Sequence, residues 1–297
     1  MTMKLAVNYS HPAAELLHTG KIQVDCFKCP AWPDLVTTVQ EQYQVYVHFP
    51  LRVGLGINDA IDVETNQPAD WDKVEALLSR TDTPLVNLHL TPSAREYPDI
   101  PVDTVDPMHV EMLTERAIKD VNGVVERFGS ERVVVENDHS SRGRRLRPAF
   151  LPDVIRRVVE ESGCGLLLDV SHARLAAHYL DMDVCQYIEA LPLTRVREIH
   201  VSGVQRFQGR WIDLAHQIGV APDVIQHFTG HMVDHLPITD EGWSFVEWAL
   251  ERVRNGAWGR PYVVTFEYGG VGGLFEAVTD VEVLAEQMPR LYTLVKK

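Results

Sequence analysis

Histidines and acidic residues recur in this chain at one kind of place, the end of a short apolar run. The runs close on Tyr-Val-His48, Asn-Leu-His89, Val-Val-Val-Glu136, Leu-Leu-Leu-Asp169 with His172 three residues on, Glu-Ile-His200, and Val-Val-Thr-Phe-Glu267. Any one of these alone reads as a packed group or a helix cap. Taken together they do not, because several carboxylates and imidazoles gathered at one face are costly to bury without a balancing cation. Imidazole mixed with carboxylate suits zinc, manganese or iron better than magnesium or calcium. The Asp169-x-x-His172 spacing lets both side chains converge where a strand turns into a loop. The segment His231-Met-Val-Asp234-His235-Leu-Pro adds further donors. Asp234 and His235 are preferred, since Pro237 and the helix after it hold them near the others, and His231 is the weaker candidate.

The candidate ligands are therefore His48, His89, Glu136, Asp169, His172, His200, Asp234, His235 and Glu267. One ion takes about four to six donors, so nine imply two or three divalent metals. Glu136 and Glu267 are also the candidate proton-transfer residues.

The elements that must position these groups alternate in type. Strands are expected near Leu5–Asn8, Gln23–Phe27, Gln44–His48, Leu85–Leu90, Arg132–Glu136, Leu166–Asp169, Val196–Val201 and Tyr262–Glu267. Helical periodicity is clearest over Met108–Phe128, Leu151–Glu161, Gly242–Arg254 and Leu274–Leu291, with Met112, Ile118, Val121 and Val125 striping the first and Gly129 closing it. Eight βα repeats in 297 residues point to an α/β fold, a (β/α)8 TIM barrel of parallel strands with its active site at the C-terminal face. No Gly-rich dinucleotide fingerprint follows the first strand. Nothing splits the chain, so residues 1–297 read as one barrel domain, with a long insertion at about 202–240 expected over the barrel mouth.

Bulk properties exclude several classes. The formal charge of −14 opposes nucleic-acid binding, which needs a basic surface. No apolar run is long enough for a membrane helix, and Met1–Tyr9 lacks the layout of a signal peptide, so a cytoplasmic protein is expected. Cys26 and Cys29 form a lone CxxC and read as small apolar groups rather than a redox pair. Ser141-Arg-Gly-Arg-Arg-Leu-Arg147 follows the fifth strand, and reads equally as an anion clamp or as a solvated loop. Gly269-Gly-Val-Gly-Gly273 has no basic partner and reads as a flexible turn, while Gly54-Leu-Gly56 reads as backbone freedom. Trp243, Phe245 and Trp248 are expected in the core.

With these residues in hand, the chain resembles the xylose-isomerase-like TIM-barrel superfamily, which includes sugar isomerases and epimerases and the endonuclease IV enzymes. Glu136, Asp169-x-x-His172, His200 and Glu267 are similar to its metal ligands in their strand order. A closer resemblance is to the multinuclear non-heme iron-dependent oxidative enzymes, the family of the iron subunit of methanobactin biosynthesis. Val47-His48 with Val53-Gly-Leu-Gly56, Val135-Glu136-Asn137 with Ser140-Ser141, Gly163-Cys-Gly-Leu-Leu-Leu-Asp169-Val, and Tyr187-Ile-Glu-Ala-Leu-Pro192 through Glu198-Ile-His200 carry it, over roughly residues 45–270. The chain departs from that pattern at three places. Asp169-Val-Ser-His172 stands for Asp-Val-Asn-Asn, Val204 stands for a second histidine, and Asp234-His235 for Asp-x-His. The resemblance implies two or three irons and dioxygen acting on peptide residues, commonly cysteine, often with a partner protein.

The leading expectation is thus a metal-dependent enzyme with a di- or multinuclear His/Asp/Glu centre, iron first and zinc or manganese as alternatives, acting oxidatively on a peptide or small molecule. The alternatives are a sugar or polyol isomerase or epimerase, an endonuclease IV-like phosphodiesterase, and a non-catalytic metal- or peptide-binding subunit.

Overall fold

A computed structural model of the chain describes residues 3–139 and 145–297. The Ser-Ser pair at 140–141 and the arginines at 142 and 144 lie outside the described residues. The strands are β1 (Lys4–Asn8), β2 (Cys26–Pro30), β3 (Val45–His48), β4 (Leu51–Val53), β5 (Ile61–Asp62), β6 (Val86–Leu90), β7 (Val133–Glu136), β8 (Gly165–Asp169), β9 (Val196–Val201), β10 (Gly203–Arg206), β11 (Met232–Leu236) and β12 (Val263–Phe266). The main sheet runs β3-β2-β1-β12-β9-β8-β7-β6-β4-β5. Every pairing in it is parallel except β4 with β5. This is the α/β TIM barrel that the alternating pattern implies.

The barrel closes through a single broken stave. Pro50 has no N–H to give a ladder, so the third strand breaks after His48. Its first half, β3, pairs with β2, and its second half, β4, pairs with β6. Asn87 bridges the gap, because its side chain accepts from Phe49 N–H (2.7 Å) and donates to Phe49 C=O (2.9 Å). The same amide nitrogen lies 3.1 Å from His48 Nε2. One buried amide thus completes the ring and holds a candidate ligand.

Three readings of strand and helix limits and faces are corrected. The second strand begins at Cys26 rather than Gln23. Asp25 turns its carboxylate to Leu5 N–H (2.6 Å) and Lys296 (2.6 Å), so the ladder to β1 starts at Ala6–Cys26 and the strand runs on to Pro30. The helix Pro107–Phe128 exists, but its buried stripe is Leu113, Ala117, Val121 and Val124, with Met112, Ile118 and Val125 on its flanks. The last expected helix is two, Gly273–Val278 and Val281–Lys296. Tyr268 Oη donates to Val278 C=O (2.7 Å) and accepts from Asp280 N–H (3.1 Å), and Asp280 then caps the second helix.

Other readings meet the structure directly. The helices Pro152–Ser162 and Asp240–Arg254 lie within two residues of their expected limits. Trp243 is buried, with Phe245 and Trp248 packed against the same core. Cys26 faces the barrel interior beside Ala6 and Tyr46, whereas Cys29 packs in the core outside it, and burial pushes both thiols up to about 12. Gly54-Leu55-Gly56 is more than backbone freedom. The N–H groups of Gly54, Leu55, Gly56 and Asn58 all donate to the buried carboxylate of Asp120. This ring of donors, which positive φ at Gly54 and Gly56 makes possible, is filled from within the chain. Gly269-Gly270 is held by Asn8 Nδ2 and Thr279 Oγ1, and a Cβ at Gly269 would meet that hydroxyl at 2.4 Å, so this turn is a packed wall. The region from 203 to 236 is an antiparallel β10–β11 ribbon joined by two short helices around Phe207, Trp211, Ile225 and Val233. No helix among the described residues is long and apolar enough to cross a membrane.

Asn87→Ala strips both Phe49 groups of their partner. The expected loss of stability is about 3 kcal/mol, read from the urea midpoint. A loss under about 1 kcal/mol would show that the broken stave closes without Asn87.

Candidate metal centre

Side chains on a strand alternate, so residues two apart on β3 and on β9 point the same way. Tyr46 and His48 stack along one stave, Glu198 and His200 along another. Register sets His89 beside Glu136 and Asp169 beside His200. Glu136 is the common point. Its Oε2 lies 2.9 Å from His89 Nδ1 and 3.7 Å from His48 Nε2, and its Oε1 lies 3.3 Å from His172 Nδ1 and 3.9 Å from His200 Nδ1.

His200 is oriented from below. Its Nε2 bonds Glu198 (2.7 Å), which in turn accepts the Tyr46 hydroxyl, so Nδ1 faces Glu267 at 3.0 Å. A carboxylate that fixes the tautomer of a ligating histidine is the usual second layer of a metal site. Beside this group lies another. His172 Nδ1 is 3.0 Å from Asn137 C=O, and its Nε2 reaches Asp234 at 3.1 Å and Asp169 at 3.6 Å. His139 Nε2 is 3.3 Å from the same Asp234 oxygen, and His235 links Asp234 to Glu267 at 3.9 Å on each side. Asp169 is locked by two N–H groups, those of Ser171 and His172.

All nine sequence candidates therefore fall in one connected cluster. His231 does not: it is exposed on the ribbon near His227. Four residues of the site escaped the sequence reading. Lys28, buried with Nζ against Glu267 Oε1, was hidden by the displaced start of β2. His139 sits three residues past the end of its strand. Glu198 and Tyr46 lie one layer below the strand ends, and only the period-two rule applied inward from His200 and His48 would have found them.

The donor atoms fit divalent cations. Among the described residues they form four sets, each with its ligand atoms within 4.8 Å of one another: His48, His89 and Glu136; His48, Glu198 and His200; and Glu136, Asp169, His200 and Glu267, which overlap, and His139, His172 and Asp234, which stands apart. His48 Nδ1 and His139 Nδ1 are buried without a hydrogen-bond partner, and His200 Nδ1 and Glu136 Oε2 make no well-directed bond despite the nearby Glu267 and His89. Charge asks for the same thing. Burial alone would raise Glu136, yet His89, His172 and His48 hold it well below the usual carboxylate range. Burial would lower His172, but Asp169, Asp234 and Glu136 hold it well above its ordinary value. Burial pushes the Lys28 ammonium down to about 8 against the pull of Glu136, Glu198 and Asp169. The cluster opens into a cleft of about 500 Å³ walled by Tyr9, Trp32, Gly270 and Phe275.

Residues 27–248 match the family described as RiPP precursor modification enzyme MbnB/TglH/ChrH. The chain belongs to this family. Similar relatives include UPF0276 proteins of Psychromonas ingrahamii (23% identical over 168 residues, 56% of this chain and 57% of the relative) and of Rhizobium meliloti (26% over 175 residues, 57% and 52%). A third, from Vibrio parahaemolyticus, is 23% identical over 221 residues, 72% of this chain and 71% of the relative. The chain spans a little over half the length of the first two. Among solved structures it is similar to the 3-keto-D-glucoside 4-epimerase YcjR of E. coli, with TM-score 0.52 at 12% identity, covering 98% of this chain and 99% of that one. It is also similar to a xylose isomerase-like TIM barrel/4-hydroxyphenylpyruvate dioxygenase fusion protein, with TM-score 0.55 at 14% identity, covering 99% of this chain and 43% of that one. At these identities the two structures establish the barrel fold alone.

Lys28→Met leaves the buried carboxylates without their internal cation. Chelator-treated protein is expected to lose about 3 kcal/mol in urea unfolding, with a smaller loss once metal is restored. Equal losses in both states would show that Lys28 does not act as the site's counter-ion.

Proposed function

We propose that this chain is a metal-dependent enzyme with two or three divalent ions, iron foremost, that oxidises a residue of a ribosomally made precursor peptide with dioxygen. Zinc and manganese are the alternative metals, and a small molecule the alternative substrate. The observation that carries the reading is the sharing of donors. Glu136 turns one oxygen to His48 and His89 and the other to His172 and His200, so it would be a donor in two sets at once. Membership of a family of precursor-modifying enzymes supports the peptide.

Within this reading His48, His89 and Glu136 hold one ion, Glu136, Asp169, His200 and Glu267 a second, and His139, His172 and Asp234 a third, with His235 beside it. Iron in these positions supplies one-electron chemistry toward dioxygen and a seat for a substrate thiolate or hydroxyl. The protein's own part is positional and protonic. Glu267, held by Lys28 and by the ring of His235, faces the cleft and takes the proton that the substrate group releases on binding. Trp32, Tyr9 and Phe275 keep bulk water off the reacting group. A partner protein that presents the peptide at the cleft fits the same scheme.

A second reading, sugar epimerisation at one ion, draws on the fully buried set Glu136, Asp169, His200 and Glu267, which offers four donors by itself. Metal analysis of protein purified without oxygen separates the two. More than one iron per chain supports peptide oxidation. One zinc or manganese without iron supports the epimerase, and metal-free protein overturns both. Glu136→Gln is expected to lower the metal count by at least one ion per chain, since it touches two donor sets, and an undiminished count would remove it from the ligands.

A further inference from the structure

Across Val63 from the metal cleft lies a second hollow of about 470 Å³, and its lining is basic. Among the described residues three guanidinium groups, those of Arg52, Arg95 and Arg145, line it against the carboxylate of Glu96, with Asp138 paired to Arg145 at its rim. The chain as a whole carries −14, so this is a local reversal of sign.

The hollow is tied to the metal end of the barrel. Arg52 stands on β4 directly beside His89 in the register with β6. It is buried, and donates to Asn66 Oδ1 (2.8 Å) and pairs with Glu96 (3.0 Å). Glu96 is itself engaged, since its other oxygen accepts from the N–H of Ser93 (3.1 Å) and from that residue's hydroxyl. An isolated bridge between Ser93 and Arg145 and a bond from Leu146 N–H to Pro92 C=O (3.1 Å) fasten Arg145 to the opposite rim, where it pairs with Asp138. The Arg95 side chain is exposed and has no polar partner among the described residues.

We propose that this hollow binds the carboxylates of an acidic stretch of the substrate peptide, next to the residue that enters the metal cleft. The inference rests on the peptide-oxidation reading. The guanidinium forks sit on a strand and on two separate loops, which suits carboxylates spaced along an extended chain. A single tetrahedral phosphate would want converging backbone N–H groups, and Ser93 N–H is already taken.

The probe is fluorescein-labelled hexaglutamate, followed by anisotropy on the protein as purified and again after metal loading, with labelled hexaglutamine as control. Hexaglutamate is expected to bind and hexaglutamine not to, with affinity falling as salt rises. Arg95→Glu and Arg145→Glu should each weaken binding by at least about tenfold, with the metal count unchanged. Equal binding of hexaglutamine, affinities within about twofold of wild type in both variants, or binding of inorganic phosphate without hexaglutamate would each overturn the proposal. Binding is read independently of the metal. Metal-free protein would therefore count against peptide oxidation while leaving the hollow's own result legible.

Discussion

Five carboxylates and six imidazoles share one end of this barrel within a chain of contacts that never breaks. Glu136, Asp169, Glu198, Asp234 and Glu267 supply the acids, and His48, His89, His139, His172, His200 and His235 the rings. Charges withdrawn from water cost several kcal/mol each unless partnered. One buried ammonium, Lys28, balances only part of that charge. Part of the rest is offset at His172, whose imidazole is drawn toward its charged form, while donor atoms gather in ion-sized groups around the others. This is an arrangement that bound cations would complete.

The surrounding structure is organised to hold those groups still. Staves of the barrel bring the side chains inward in layers, so Tyr46 and Glu198 can steady His200 from beneath. Asn87 closes the ring and touches His48, and Asn137 binds the backbone of Asp169 on one side and the ring of His172 on the other. Each of these asparagines serves the fold and the site together, Asn137 through its side chain to Asp169 and its backbone carbonyl to His172. Around this rigid floor the loops differ in character, with an apolar wall over the cleft and a basic hollow beside it. Such division between a fixed scaffold and varied loops is what lets one barrel host many chemistries.

Much of the candidate site was legible before any coordinates. Strand ends announce themselves because a parallel strand buried on both faces is a short apolar run, and the first polar group after it marks where the strand leaves the core. That is why His48, His89, Glu136, Asp169, His200 and Glu267 could be named, and why the connected cluster contains them. Lys28 could not be found the same way. Asp25 interrupts the reading of the second strand by capping Leu5, and so conceals which later residue faces inward. The split of the last helix was hidden for a related reason, since a tyrosine hydroxyl from the preceding loop takes the place of a helical bond.

By itself the sequence determined the barrel class, the end of the barrel where chemistry gathers, and the residue types present there. These follow from local period and local composition, which a chain carries in every short window. Only the tertiary structure decided which donors share an ion-sized space, that His139 joins His172 on Asp234, and that Lys28 stands among the acids. It also decided that the glycine loop after β4 is filled by Asp120, 62 to 66 residues away. Those outcomes depend on the shear and closure of the whole sheet, and closure is a property of all the strands at once.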